Sequence, residues 1–328
     1  MSFTHVNQHL LFWALAVCRW ISAFFLSELF NMCIIHGYIP NSCLNTTISP
    51  ICKNKNGNMS DTSNYISVPV ATVVSKLHEY FMLSSISPFV GTTDNQFGFR
   101  AGHSTVQCTF LLKQTASYFV THGSSVRAVF LDDSKAFDRV PHIKLFEKLI
   151  QTKVPACFVR LMKHWNKEQT MQIKWGKHFS EAFFSFHVSN GVRQRGVLSP
   201  YLFAVYLDDL SNELNNIKAR CYTGEVLLNH LMFADNICVF CPLVCWLQRI
   251  LDVCQTYAES HRIILNCNKT VCMTIKAKNT KSTATPLLKL GGQYVKSVDQ
   301  HKYQGIILDT ELSDDKTFRD NCDINIVQ

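Results

Sequence analysis

Two short apolar runs, each stopped by acidic residues, restrict the folds open to this chain. Val126 to Leu131 ends at Asp132 and Asp133, and the stretch from Leu227 to Phe240 is broken by Asp235-Asn236. Apolar runs of about 4–8 residues bounded by polar turn residues read as strands, and the broken stretch reads as a hairpin with a tight polar turn. If these strands are neighbours, Asp132 and Asp235 meet at one sheet edge. Two hard-oxygen ligands there suit a pair of Mg²⁺ ions about 3.5–4 Å apart, the arrangement used for phosphoryl transfer. Taken alone, the same acids serve equally as a turn cap and a hairpin turn.

The surrounding sequence supplies helices to pack on such strands. Residues 68 to 85 are apolar at helical spacing, and Pro141 to Ile150 and Pro155 to Trp165 each carry Pro in a first turn. Ser199-Pro200 reads as an N-cap followed by a first-turn proline. Leu202, Phe203, Tyr206, Leu207, Leu210 and Leu214 follow at helical spacing. Val244 to Glu259 is another expected helix. Met171 to Trp175 and Ala182 to Val188 read as a pair of strands, and the Asn-, Ser- and Thr-rich segment 41–66 as a loop or hairpin connection. The pattern is α+β: helices on a small antiparallel sheet.

Composition narrows the class. The chain has 328 residues, 47% hydrophobic and 17% charged, so it buries a core and is not a disordered segment. Its net charge of +8 is compatible with a polyanionic partner without specifying one. The 14 cysteines lack the short spacing of a secreted disulfide scaffold, which points to a reduced intracellular protein, in the nucleus or cytoplasm. Cys238 and Cys241 spell CxxC inside an apolar strand, where residues three apart face opposite sides, so buried free thiols are expected rather than a zinc site. The apolar stretch from Leu10 to Phe30 is interrupted by Arg19 and approached by Glu28. It is read as a buried or partner-packed helix, with a membrane segment as the alternative.

Several segments, in order, resemble the motifs of LINE-type (non-LTR, jockey-like) reverse transcriptases. They are Gln96-Phe97-Gly98-Phe99-Arg100 with Gly102-His103-Ser104-Thr105; Phe130 to Val140; Gly191-Val192-Arg193-Gln194 with Val197-Leu198-Ser199-Pro200; and Phe233-Ala234-Asp235. Asn266 with Lys269-Thr270, Tyr303 with Gly305, and Ile48, Pro50-Ile51, Lys53 and Asn64-Tyr65 extend the likeness over roughly residues 30 to 310. The resemblance implies a right-hand polymerase with 1–39 as an N-terminal helical extension, 40–125 as fingers, 126–310 as palm with primer grip, and 311–328 as a thumb stub or tail. The thumb is expected to be largely missing, and no room is left for an endonuclease before residue 30.

The same resemblance assigns roles. Asp132 and Asp235 correspond to the metal-binding carboxylates, with Asn236 beside them in the catalytic box. Phe137 corresponds to the ring under the sugar that clashes with a 2′-hydroxyl. Gln194 is expected against the incoming nucleotide, and Lys269, Arg100 and Lys53 against its phosphates. The implied cofactor is two Mg²⁺ ions, with Mn²⁺ as substitute. The implied partners are an RNA template, a DNA primer and dNTP, with no obligate protein partner. Tyr206-Leu207-Asp208-Asp209 also spells a YxDD box, but it falls mid-helix, where its carboxylates diverge by about 100°. Both are expected to face solvent.

The chain departs from the family pattern at four places. Asn236 replaces a second Asp, Arg195 a Gly, Ile66-Ser67 an Arg-Pro pair, and Gln304 an apolar primer-grip residue. Two readings follow. The first is an RNA-directed DNA polymerase core impaired by Asn236 and Arg195. The second is a catalytically inactive, retrotransposon-derived remnant that at most binds nucleic acid.

Overall fold

A computed structural model describes residues 21–133, 136–176, 178–179, 190–193, 196–219, 221–277 and 286–312. The expected strand Ala182 to Val188, Gln194, Arg195, residues 1–20 and the tail from 313 lie outside the described residues. In chain order the principal elements are α1 (residues 21–36), β1 (Asn45–Cys52), β2 (Tyr65–Ala71), α2 (Val73–Ile86), α3 (Thr105–Thr121), β3 (Val126–Leu131), α4 (His142–Gln151) and α5 (Ala156–Glu168). They continue with β4 (Thr170–Trp175), β5 (His178–Phe179), α6 (Ser199–Asn216), β6 (His230–Phe233), β7 (Asn236–Cys241), α7 (Val244–Ser260), β8 (Val271–Ile275) and β9 (Lys296–Val298). Among the described residues no helix is long and apolar enough to cross a membrane.

The chain forms two compact units that interleave in sequence, one within Met1–Val90 and Leu149–Ser189, the other within Gly91–Lys148 and Asn190–Gln328. The chain therefore crosses between units at 90/91, 148/149 and 189/190. In the first unit the sheet runs β2-β1-β4-β5, with β1 antiparallel to β2 and parallel to β4. The apolar stretch read as a helix from residue 68 begins as strand. Val68 to Ala71 pair with Thr46 to Ser49, and the helix starts only at Val73, where the Thr72 side chain accepts from Ser75 N at 3.2 Å. Pro69 fits because the outer edge of β2 needs no ladder donor. Buried His78 is stacked between Phe30 and Trp165, with ring centroids 4.8 and 5.4 Å away.

In the second unit the sheet runs β9-β8-β3-β7-β6. Ala128 and Phe130 of β3, Cys238 and Phe240 of β7 and Met273 of β8 cover one face and pack with Cys108, Leu112 and Ala116 of α3. Helix α3 went unrecognised in the sequence, although Ser104 and Gln107 form a reciprocal capping box at its start. Helix α6 begins at Ser199 itself, with Leu198 rather than Ser199 as the cap. Cys238 and Cys241 are fully buried free thiols. Tyr222–Thr223 pairs with Val226–Leu227 as a small separate hairpin, so the longer one starts at His230 rather than Leu227.

A buried polar network ties the segment before α3 to α6 and β6. Thr93 N donates to Asp208 Oδ1 at 2.7 Å and Thr93 Oγ1 to Ser211 Oγ at 2.6 Å. Ser211 Oγ lies 2.7 Å from His230 Nε2, and His230 Nδ1 2.7 Å from Asn229 Oδ1. Asp208 is therefore buried rather than solvent-facing, because a backbone N–H and α6 itself enclose it. Asp209 is half-exposed and ion-paired with Lys148. The same segment extends the sheet edge: Met232 N donates to Asn95 O at 2.9 Å and Phe97 N to Met232 O at 2.8 Å. Gly98 then comes so close to the β6–β7 turn that a Cβ on it would sit 2.3 Å from Ala234 N and 3.0 Å from the Phe233 carbonyl carbon.

Two measurements check this packing. Burial without a charged partner pushes His230 down to about 3, so between pH 3 and 6.5 the neutral form is favoured only in the fold. Above pH 6.5 both folded and unfolded states are neutral. As pH falls from 6.5 towards 3, only the unfolded state takes up the proton, and stability falls by up to ~1.4 kcal/mol per unit, or about 2 kcal/mol at pH 5. Urea denaturation of wild type and His230→Gln across pH 4–8 should show the shallower acid slope in the variant. Gly98→Ala should cost about 1–3 kcal/mol by overpacking, read as a lower urea midpoint.

Candidate active site

The geometry starts from the β3–β7 ladder. Arg127 pairs with Cys241 and Leu131 with Ile237 in antiparallel register. Continuing that register past the end of β3 brings Asp132 across from Asn236 and Asp133 across from Asp235. Phe233 pairs with Asn236, so the two-residue turn is Ala234-Asp235, one residue earlier than the Asp235-Asn236 break read from the sequence, and Asn236 already belongs to β7. Ala234 takes a left-handed φ of 54° and is buried. The Asn236 amide donates to Asp235 Oδ1 at 3.4 Å, and its own side chain is exposed.

A second strip of chain holds Asp132 from the other side. Asn266 N donates to the Asp132 carbonyl at 2.7 Å, and Asp132 N donates to Thr270 Oγ1 at 3.4 Å. Asp133 bridges Leu265 in the same strip. Lys269, whose backbone N–H closes a turn onto Asn266, brings its Nζ to 3.5 Å from Asp132 Oδ2. Three sequence-separated segments thus converge on the strand end.

The carboxylates pay for this proximity in ionisation. Burial pushes Asp235 above the usual carboxylate range and the nearby Asp132 adds to the rise, while the Asp235 backbone N–H pulls it back. Asp133 is raised to about 7, first by burial and then by Asp235 and Asp132. Arg139 and a hydrogen bond from the Ile264 backbone oppose the shift. Asp133 and Asp235 line a small recess with Leu207, Leu210, Cys254 and Tyr257. In the sequence Asp133 stands only as the second acid closing the strand, with no site role assigned to it, and its place beside Asp132 is the one local signal for it.

The acceptor set matches a cation that brings its own remaining ligands. Asp132 Oδ2 and Asp133 Oδ1 are buried oxygens without a hydrogen-bond partner among the described residues. Among the described residues no three His, Cys, Asp or Glu side chains converge as a ready metal cage. Mg²⁺ seldom uses such cages. It is commonly held by one or two carboxylates, water and substrate phosphate, and Asp132 and Asp235 are compatible with that mode.

The other expected site residues divide. Phe137 is half-buried and stacked on Phe203 of α6, with centroids 4.7 Å apart and planes 28° from parallel. Its backbone is clamped by Gly191 and Val192, which donate to Val140 O and Phe137 O at 2.7 Å each. Gly191 has φ 92°, and a Cβ there would meet Asp138 O at 2.9 Å, so the clamp requires glycine. Arg100 donates to Thr93 O at 3.0 Å and pairs with Asp94 at 2.9 Å. Lys53 is exposed on the turn after β1, in the other unit. Ile66 and Ser67 are exposed on β2. Gln304 occupies a hairpin turn with φ 49° rather than a packed position. Gln194 lies outside the described residues.

Comparison with known proteins agrees with this geometry. The family model described as reverse transcriptase (RNA-dependent DNA polymerase) matches residues 53–308. The RNA-directed DNA polymerase from mobile element jockey of Drosophila funebris is 26% identical over 299 residues, covering 88% of this chain and 31% of that protein. The probable RNA-directed DNA polymerase from transposon X-element of Drosophila melanogaster is 29% identical over 273 residues, covering 79% and 28%. The chain therefore spans about a third of the length of these relatives. The structure of apo telomerase from Candida tropicalis, truncated from its C-terminal domain, superposes with a TM-score of 0.55 at 10% identity, covering 84% of this chain and 55% of that one. That likeness concerns the fold, an α+β polymerase fold. With the motifs in order, the carboxylate edge assembled and most of its length matched, the chain belongs to the reverse transcriptase (RNA-dependent DNA polymerase) family, as a reverse transcriptase domain homologous to those of non-LTR retrotransposons.

Proposed function

We propose that this chain is the nucleotidyl-transfer core of an RNA-directed DNA polymerase, with its turnover reduced by Asn236 and Arg195. The observation that carries the reading is the β3–β7 register, which sets the Asp132 strand end against the Asp235 turn, with Lys269 Nζ 3.5 Å from Asp132. The second unit then serves as palm and the first as fingers. The ligands are an RNA template, a DNA primer 3′-end and dNTP. The likeness to the jockey and X-element polymerases supports these ligands, as does the net charge of +8.

Asp132 and Asp235 would hold a pair of Mg²⁺ ions, with Mn²⁺ as substitute. Bound there, the ions would supply charge neutralisation at the phosphates and a more acidic primer hydroxyl. The chain's own residues position the reactants. Lys269 offers an ammonium beside Asp132 for the triphosphate. Phe137, braced on Phe203, presents a ring edge where a 2′-hydroxyl would collide. Gln194 meets the incoming nucleotide, and Arg100 contributes a phosphate contact from its loop. Asn236 is the weak member, because a neutral amide binds Mg²⁺ less well than a carboxylate. With twelve described cysteines free of disulfides, a reducing compartment, nucleus or cytoplasm, suits the chain.

Primer extension on an annealed RNA template, with labelled dNTP and either cation, tests this reading. Incorporation should vanish in Asp132→Ala. It should rise in Asn236→Asp, by up to about a thousandfold if the second carboxylate is worth ~4 kcal/mol at the transition state. A folded, template-binding protein that stays silent even as Asn236→Asp is the non-catalytic remnant instead. Phe137→Ala should admit ribonucleotides; unchanged discrimination against them would remove the sugar-gate assignment.

A further inference from the structure

Gln96 is fully buried, and no role attaches to it in the reading above. Its side-chain oxygen accepts two backbone N–H groups, from Gly98 at 2.9 Å and from Ala234 at 3.1 Å. Both neighbours are donors, so it is the oxygen that must face them. Its amide nitrogen is buried without a hydrogen-bond partner among the described residues. A buried amide half of which goes unsatisfied is costly, so the side chain is tolerated there for its oxygen.

Ala234 depends on that oxygen. It is a buried L-residue held at φ 54°, a conformation that surrounding contacts must enforce. The segment 95–97 pairs with Met232 through backbone bonds, but the chain then bends away, with Phe99 at φ 57°. The next donor along β6, Ala234 N, is met by the Gln96 side chain. Gly98, lacking a Cβ, closes against the same atom. An amide also supplies this acceptor without a further negative charge beside Asp132, Asp133 and Asp235.

We infer that Gln96 is a positioning residue: by accepting the Ala234 N–H it holds the left-handed residue from which Asp235 projects towards Asp132. The inference rests on the proposed metal role of Asp132 and Asp235. It predicts that the turn loses both its protection and its cation affinity when the acceptor is removed, while the rest of the fold persists.

Amide exchange and Mn²⁺ binding on the full chain test it. In wild type the Ala234 amide should be as protected as those of β7; exchange at an exposed rate overturns the inference, whatever the variants do. Gln96→Met keeps length and burial without the acceptor. It should speed Ala234 exchange at least tenfold, leave β3 and β8 amides unchanged, and weaken Mn²⁺ binding, read by water-proton relaxation, at least tenfold. Gln96→Glu keeps the acceptor and should restore Ala234 protection. Asp132→Asn is the control for the metal assignment. If wild type binds no Mn²⁺, or if this variant binds it like wild type, that assignment fails, and the exchange data alone decide the role of Gln96. If Asp132→Asn loses Mn²⁺ while a folded Gln96→Met retains it, the positioning role is wrong.

Discussion

The antiparallel register between β3 and β7 is the constraint on which the site depends. One strand ends at Leu131, just before Asp132, and the other begins at Asn236, directly after the turn that carries Asp235. A slip of one residue would send every side chain of one strand to the opposite face. It would carry Phe130 or Phe240 off the face packed with α3 and take Asp132 out of line with the Asp235 turn. The apolar face packed with α3 therefore sets the register, and the register sets the carboxylates. Core and site here are a single arrangement.

Gathering acids at that edge has an electrostatic cost, visible as the raised Asp133 and Asp235. The surroundings meet it locally. Lys269 approaches Asp132, Arg139 and the Ile264 backbone act on Asp133, and the Asp235 backbone N–H serves its own side chain. The opposing groups do not cancel the shift, and both acids stay above the usual carboxylate range. Asn236, a neutral amide, adds no further negative charge to that edge.

Support for the hairpin comes from outside it. The segment 93–98 bonds to Asp208 and Ser211 of α6, pairs with Met232 of β6 and reaches the Ala234 turn through Gln96. The second acid pair, Asp208 and Asp209, serves this scaffold. One acid accepts from the Thr93 backbone and the other pairs with Lys148. The YxDD spelling thus lies within α6, away from the β6–β7 turn.

Much of this was legible in the chain itself. The strand Val126 to Leu131 and the helix Val244 to Ser260 follow from apolar periodicity and polar breaks, which are local properties, and the Asp235-Asn236 break lies within one residue of the actual turn. Helix α3 was equally local, through its Ser104–Gln107 capping box, and was missed for want of a strong apolar stripe. The start of α2 was misread because Val68 to Ala71 suit either element, and only pairing with β1 makes them a strand. The sequence by itself determined the family, the order of the motifs and the identity of the two acids. Only the tertiary structure decided that Asp133 joins them, that Asp208 is buried and that Gln96 faces Ala234. The last two depend on residues 115 and 138 positions apart in the chain meeting across hydrogen bonds, which no local pattern encodes.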